Sequence, residues 1–174
     1  MRISYLSGER VALRSPTLAD KEHAPAWFDS VFPIDASRAE EWLKEELKEF
    51  THRKIPLIAV RGDGDEVIGG VVVRSNRRHA DIAIHMAPWL PDADELRGEL
   101  VGLLVRWLRD DSEHITTTAY LAEDWPASIA AAEAAGMVQT ARVRQWYPRP
   151  GGRADRLIYQ ALRPFWSAVE ASDA

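Results

Sequence analysis

The sequence predicts a mixed α/β fold of the α+β sandwich type for this chain of 174 residues. In the middle of the chain, three apolar segments rich in β-branched residues follow one another with only short turns between them, a pattern typical of an antiparallel meander. Two later segments of strand character are each preceded by a helical segment, as in strands that join a sheet through a helix crossover. We therefore expect a mixed, mainly antiparallel sheet with helices packed against it.

The first half of the chain predicts one strand, two helices and the meander. Alternating apolar and polar residues over 9–15 indicate the first strand. Thr17 has the position of an N-cap for the first helix, and a second helix runs from about Asp35 to Phe50. The apolar stripe of this second helix consists of Trp42, Leu43, Leu47 and Phe50. The strands of the meander cover 55–61, 67–74 and 78–87.

The second half predicts two further helices and three strands. The segment Pro88–Asp92 ends the meander, and the helix after it carries a clean apolar stripe. The last predicted helix, over 125–135, has Pro126 in its first turn and Gly136 as its C-cap. The strands cover 114–121, 137–147 and 153–162. The prediction is thus a single domain over 1–174 with seven strands and about four helices, and a tail from Pro164 that docks on the surface.

Composition and charge narrow the functional classes. The chain has no cysteine, which excludes a disulfide framework and a thiolate nucleophile, and its five histidines lack metal-ligand spacing. The net charge of −5 argues against non-specific binding to nucleic acid. No apolar run approaches membrane-spanning length, and the N-terminus lacks the apolar core of a signal peptide. We therefore expect a cytoplasmic protein with no metal and no nucleic-acid or membrane partner.

The most informative short motif is Arg97-Gly98-Glu99-Leu100-Val101-Gly102, which lies between the last meander strand and an amphipathic helix. A glycine-containing loop that leads from a strand into a helix presents backbone N–H groups to phosphate. The alternative is a helix that tolerates two glycines, at a cost of about 1 kcal/mol each. The motif alone leaves both interpretations open.

Together with the element order, this motif resembles the pyrophosphate loop of GNAT-type N-acetyltransferases, Gln/Arg-x-x-Gly-x-Gly/Ala, with Leu100 in place of the middle glycine. Segments 9–14, 80–85 and 151–159 are similar to strands of the branch that acetylates the N-termini of ribosomal proteins. Segment 128–136 resembles a helix of that branch, with Trp125 in the place of an Asn and Met137 in the place of a Phe. The likeness covers nearly the whole chain.

The resemblance implies that the fourth and fifth predicted strands splay apart and admit the pantetheine arm of acetyl-CoA. The arm would pair with the backbone near His85, Met86 and Ala87. The pyrophosphate would lie over the N–H groups of a helix start formed by Arg97, Gly98, Glu99, Leu100, Val101 and Gly102. Trp125 and Ser128 are implied to lie beside the cofactor.

Four side chains are candidate catalytic residues. Asp81 stands where the resemblance implies a general base, and His85, on the same face of the strand, could relay a proton. Ser128 and Tyr120 are the alternatives for the acid that protonates the departing thiolate. Each also has a structural interpretation: an ion-paired carboxylate, a satisfied histidine, a serine bonded within a helix, or a core tyrosine.

These observations predict an N-acetyltransferase that moves an acetyl group from acetyl-CoA directly to a primary amine of a peptide N-terminus or a small molecule. One alternative is a GNAT-like domain that has lost catalysis and acts as an acyl-CoA-binding, regulatory or protein-interaction module. Another is a structural dimer module, and the chain itself is expected to be a monomer or a homodimer. An acidic surface would attract a cationic amine such as a polyamine, or a basic peptide, but net charge does not choose between them.

Overall fold

A computed structural model describes residues 5–29, 34–48, 53–62, 64–76 and 78–163, with the side chains of 46–48 excluded. These residues form a single sheet of eight strands. The strands are β1 (Leu6–Ser7), β2 (Val11–Arg14), β3 (Lys54–Arg61), β4 (Val67–Asn76), β5 (His79–Met86), β6 (Thr116–Ala122), β7 (Val138–Arg149) and β8 (Gly152–Leu162). The expected fold class is confirmed, with one strand more than the seven expected because the short β1 pairs with β2.

In the described part of the chain, four α-helices and one 3-10 helix connect the strands. The 3-10 helix covers Leu18–His23, and the α-helices are α1 (Ala24–Trp27), α2 (Ala36–Lys48), α3 (Ala93–Asp111) and α4 (Pro126–Ala134). Thr17 is the expected N-cap, and its backbone N–H donates to Asp20 Oδ2 at 2.6 Å. The single helix expected after Thr17 is divided, because Pro25 at the start of α1 has no N–H to continue the hydrogen-bond ladder.

The strand order is β1-β2-β3-β4-β5-β6-β8-β7. All neighbouring pairs are antiparallel except β5 and β6, which run parallel and are joined by α3. This is the expected change from a meander to a crossover connection. β7 lies at one edge of the sheet and is exposed along most of its length.

Apolar residues on the two faces of the sheet form two cores. The larger core lies under α3 and α4, and it contains the predicted helical stripe through Leu96, Leu100 and Leu104. The smaller core packs α1 and α2 against the opposite face through Trp27 and Leu43. The helices therefore cover both faces, and the second face carries the cavity described below.

The ladder between the parallel strands β5 and β6 is short. It pairs His79–Ile82 with Thr116–Ala119, whereas β5 continues to Met86 and β6 continues to Ala122. The carboxyl-terminal halves of two neighbouring strands are therefore not paired with each other. This gap is the splay expected between the fourth and fifth predicted strands.

Some expectations concern residues outside the described part of the chain. They are the side chains of Leu47 and Phe50 in the stripe of the second helix and the docking of the tail from Pro164. Of the helices in the described ranges, none is long and apolar enough to cross a membrane. The same ranges hold no group of three His, Asp or Glu side chains placed to bind a metal ion.

Candidate active site

Helix α3 begins before the motif that resembles a pyrophosphate loop. Its N-cap is Asp92, and the N–H of Leu96 already donates to the Asp92 carbonyl at 3.1 Å. The segment Arg97–Gly102 therefore lies in later turns, where the helix uses each N–H itself. The expectation that these N–H groups hold a pyrophosphate is wrong. The free N–H groups of this helix belong to 93–95.

The motif residues serve packing instead. Leu100 and Val101 are fully buried in the larger core. A Cβ atom at Gly98 would lie 2.9 Å from the carbonyl oxygen of Ala127, so this glycine lets α3 and α4 approach each other closely. The alternative interpretation, a helix that tolerates two glycines, is the correct one for this segment.

The first turn of α3 is acidic, but its N-cap carboxylate is paired. Asp92 Oδ2 accepts from Arg61 Nη1 at 3.0 Å and from Arg10 Nη2 at 2.5 Å. Glu99 Oε1 accepts the backbone N–H of Arg10 at 2.8 Å, which fixes the position of that arginine. Two guanidinium groups therefore stand beside the free N–H groups at the start of α3.

Ser128 links α3 to α4 and is not a free hydroxyl. It is fully buried, and its Oγ donates to Asp94 Oδ1 at 2.6 Å. The other oxygen of Asp94 accepts the N–H of Ala127 at 2.7 Å, so this carboxylate satisfies the first turn of α4. The structure does not bring Ser128 to the other candidate catalytic residues, and its hydroxyl has a structural role, in a hydrogen bond to a neighbouring helix and not within its own.

The gap between β5 and β6 exposes unpaired backbone on its β5 side. Ala87 N–H donates to the carbonyl of Ile68, which precedes Gly69 on β4, at 2.9 Å. Because backbone groups alternate between the two neighbours of a strand, those of Ile84 and Met86 point towards β6, where the ladder has ended. Of the three residues expected to pair with a cofactor, Met86 presents its backbone to the gap, whereas His85 and Ala87 face β4.

Arg97 of α3 lies near the open ends of β5 and β6, because its charge acts on His85 of β5 and its guanidinium contacts Trp125. Its guanidinium stacks on the ring of Trp125, just after β6, at 3.6 Å from the centroid. The side chain is only 9% exposed, its contact with Asp94 Oδ1 is 3.4 Å long, and its Nε has no hydrogen-bond partner among the described residues. Burial lowers the pKa of Arg97 to about 10, which leaves it charged near neutral pH. The Trp125 ring also packs against Tyr147, with the ring centroids 5.4 Å apart.

Two candidate catalytic residues, Asp81 and Tyr120, are in direct contact. Tyr120 Oη donates to Asp81 Oδ1 at 2.9 Å, and His79 Nε2 lies 3.1 Å from the same oxygen. Burial, assisted by the hydrogen bond to Asp81, raises the pKa of Tyr120 above its ordinary value, so the phenol keeps its proton near neutral pH. The structure therefore holds a protonated hydroxyl on the face of the sheet that carries Asp81.

A cavity of about 280 Å³ reaches His85 on the face of the sheet that packs against α1 and α2. Three of its walls are the aromatic side chains of Trp27, Phe28 and Trp42, with ring centroids 5.3–5.6 Å apart. The exposed carboxylate of Asp29 lies 3.7 Å from His85 Nδ1. Burial lowers the pKa of His85 despite that carboxylate, so the imidazole is neutral near pH 7.

Two adjacent glycines of β4 shape this cavity. A Cβ atom at Gly70 would lie 3.1 Å from the Cβ of Trp27 and closer still to the Trp27 carbonyl oxygen. A Cβ atom at Gly69 would overlap the carbonyl oxygen of His85. The pair therefore allows α1 on one side and β5 on the other to approach the backbone of β4.

Several residues of this site were not among the predicted site residues. They are Asp29, Gly69, Gly70, His79 and Tyr147. The Gly-Gly pair inside an apolar strand is the one local signal that could have marked a close backbone approach. The remaining residues have no local signal, because they meet the site only through the pairing of strands that are distant in the sequence.

Comparison with known proteins gives the class of the molecule. The chain is 42% identical to a protein of Sphaerobacter thermophilus whose crystal structure is described as that of an acetyltransferase, over 93% of this chain and 99% of that one, with a TM-score of 0.74. Neither a protein-family model nor a curated protein sequence matches it.

Two more distant structures share the fold. Spermidine N-acetyltransferase from Vibrio cholerae, in complex with CoA and spermine, is 15% identical over 89% of this chain and 96% of that one, with a TM-score of 0.65. Ribosomal-protein-S5-alanine acetyltransferase from Vibrio fischeri is 12% identical over 94% of this chain and 98% of that one, with a TM-score of 0.69.

The fold and the matches define an acyltransferase. The chain belongs to the GNAT family of acetyltransferases. The family expected from the sequence is thereby confirmed, and with it the expectation of an enzyme that transfers an acyl group.

Proposed function

We propose that the protein transfers an acetyl group from acetyl-CoA to a primary amine of a small molecule or of a peptide N-terminus. One observation carries this proposal. The aromatic cavity is lined in part by His85, on the part of β5 that has already left its ladder with β6. The cavity has a suitable size for an amine, and His85 connects it to the gap in which the donor would lie.

The donor supplies the acetyl group and leaves as the thiol of CoA. Pantetheine offers amide carbonyl and N–H groups, which match the unpaired backbone of Met86 and the buried, unpartnered Nε of Arg97. The anionic end of the donor would lie at the free N–H groups of 93–95, beside Arg10 and Arg61. The CoA bound by the Vibrio cholerae spermidine N-acetyltransferase supports the same donor class.

His85 is the proton acceptor in this proposal. Attack on an acyl carbon requires an amine that loses a proton as the new N–C bond forms. The imidazole of His85 is neutral because of its burial, and it faces the cavity beside Asp29. Asp29 can also attract the protonated amine before it is deprotonated.

Tyr120 is the proton donor to the sulfur that leaves. Its raised pKa keeps the phenolic proton in place until a thiolate needs it. Asp81, which the resemblance implied to be the general base, is already hydrogen-bonded to Tyr120 and lies 3.1 Å from His79 Nε2. We therefore assign Asp81 as the residue that orients Tyr120, and His85 as the base.

The test is an assay of acetyl transfer to a panel of amines. The release of CoA and mass spectrometry of the product measure the transfer. His85→Gln and Tyr120→Phe should each lower kcat by about 10²-fold or more, the usual scale of a general acid or base. His23→Gln replaces an exposed histidine of the 3-10 helix and should leave turnover unchanged. Wild-type turnover on no amine, or full activity in both active-site variants, would contradict the proposal.

A second candidate function is a domain that binds acyl-CoA without catalysis. The observation that favours it is the acidic first turn of α3, where Asp92, Asp94 and Glu95 stand next to the free N–H groups and would repel a pyrophosphate. Binding of acetyl-CoA in the absence of turnover on any amine would favour this second function over the first.

A further inference from the structure

The face of the sheet that carries Tyr120 also carries an unpaired cation. Arg156 on β8 places its guanidinium 3.8 Å from the ring centroid of Tyr120 and 4.8 Å from that of Trp146. Stacking between two aromatic rings fixes the plane of the guanidinium and leaves its edge free to donate hydrogen bonds. The cation thus lies directly against the proposed proton donor.

Among the described residues, no carboxylate forms an ion pair with Arg156, and its buried Nε has no hydrogen-bond partner. The adjacent Asp155 is engaged elsewhere, because it accepts from Arg142 Nε at 2.5 Å and from the N–H of Gln145 at 2.8 Å. A partly buried guanidinium without an acid is costly unless a ligand supplies the missing acceptor.

A second cation stands on the other side of Tyr120. Arg74 on β4 lies directly across the ladder from Asp81 and forms no ion pair within the described part of the chain. The charges of Arg74 and Arg156 both act on the Tyr120 hydroxyl and oppose the effect of its burial. The charged side chains that act on this hydroxyl are therefore two arginines and one carboxylate, that of Asp81, although the whole chain is acidic.

The arrangement around Arg156 is rigid. The register of β7 against β8 shifts between Val143 and Tyr147, and Gln145 within this bulge has a left-handed backbone with φ of 52°. Arg153 holds the bulge by donating to the carbonyls of Gln145 at 2.5 Å and of Trp146 at 2.9 Å. The bulge keeps the Trp146 ring against Arg156, so the site exists before a ligand arrives.

We propose that Arg156, with Arg74 beyond Tyr120, binds a carboxylate of the acceptor. The acceptor would then be an amine that also carries a carboxylate, such as an amino acid or a peptide with a nearby acidic group, and not a polyamine. A guanidinium edge recognises a carboxylate through two parallel hydrogen bonds. A polyamine would bring several positive charges against two unpaired arginines. This inference rests on the proposed function, since it names the acceptor of the same site.

The test compares matched acceptors at saturating acetyl-CoA. Each amino acid is assayed beside its amide and its decarboxylated amine, with spermidine as a further acceptor. We expect the carboxylated member of the best pair to have a kcat/KM about 10- to 100-fold higher, the scale of a charge-assisted hydrogen bond. Arg156→Gln should bring this ratio close to one, whereas Arg106→Gln, an exposed arginine of α3, should leave it unchanged.

Preference for spermidine or for decarboxylated amines would overturn this inference while leaving acetyl transfer intact. Ligand-observed NMR measures the direct binding of the same pairs and needs no turnover. Selective binding of the carboxylated member in the wild type, lost in Arg156→Gln, supports the inference even if no acceptor is acetylated. The absence of acetylation would contradict the proposed function alone. Equal binding of both members in the wild type would also overturn it.

Discussion

Gly70 on β4 lies against the backbone of Trp27 at the end of α1, so closely that the structure has no room for a methyl group between them. Trp27 in turn lines the same cavity as His85. The absence of one side chain in the sheet therefore sets the position of an aromatic wall of the candidate acceptor site.

Gly70→Ala should damage both stability and acceptor binding. The added methyl group meets backbone atoms of Trp27, which cannot rotate away, and overpacking of this kind costs about 1–3 kcal/mol. Urea unfolding and the KM for the acceptor measure the two effects. Gly152→Ala is the matched control, because a Cβ atom there meets nothing within 4 Å. Equal behaviour of the two variants would show that the contact does not shape the cavity.

A buried ion pair between Asp20 and Arg14 contacts α1 through Trp27. Asp20 is fully buried and accepts two hydrogen bonds from Arg14, at 2.6 and 2.9 Å, while its carbonyl accepts Trp27 Nε1 at 2.7 Å. Asp20→Asn leaves the Arg14 charge buried without its partner, which should cost about 3–5 kcal/mol. Asp110→Asn breaks an exposed pair with Arg109 and should change the free energy of unfolding very little.

This ion pair also predicts a pH dependence. Burial by itself would raise the pKa of Asp20, but the hydrogen bonds from Arg14 and Thr17 outweigh it, and the net result lies below the ordinary value of 3.8. The pair therefore contributes its full stability above about pH 5, and this contribution is lost as the pH falls through the lowered pKa. The difference in unfolding free energy between wild type and Asp20→Asn should shrink below pH 3.8. A difference that grows on acidification would contradict this assignment.

Restoring a glycine at position 100 should destabilise the protein without improving donor binding. Leu100 is fully buried in the core under α3, and loss of a buried leucine costs about 2–5 kcal/mol. Thermal unfolding of Leu100→Gly with and without CoA measures both quantities. Tighter CoA binding in this variant would mean that the segment contacts the pyrophosphate after all. Leu103→Ala, a partly buried neighbour on the same helix, is the control for general weakening of α3.

Activity should follow the neutral form of His85. Because its burial places the pKa below the ordinary 6.5, kcat at saturating acceptor should be flat near pH 7 and should fall only at more acidic pH. His85→Gln should remove this acidic limb from the residual rate. An acidic limb that persists unchanged in the variant would assign the titration to another group.

The elements of this fold were accessible to sequence reasoning because their signals are local. The stripe of α3, the turns of the meander, Thr17 as an N-cap and Pro126 at the start of α4 each act over a few residues. The gap between β5 and β6 followed from the family resemblance, and the pairing of the strands confirms it.

The functional site was less accessible to sequence reasoning than the fold. The wrong and the missing predictions concern residues whose roles depend on tertiary contacts. The segment Arg97–Gly102 has the composition of a phosphate loop. In the structure, however, Gly98 allows the close approach of α4, and Leu100 packs in the core. Ser128 has the position of a catalytic hydroxyl, yet that hydroxyl donates its hydrogen bond to Asp94, on a helix far away in the sequence. The cations next to Tyr120 come from β4 and β8, so only the pairing of the sheet reveals them.

A crystal structure of the protein with CoA is the most direct test of the proposed site. We expect the pantetheine arm between the open ends of β5 and β6, with its amides on the backbone of Met86 and its sulfur within hydrogen-bond distance of the Tyr120 hydroxyl. CoA bound anywhere else, or with its sulfur remote from Tyr120, would contradict this placement.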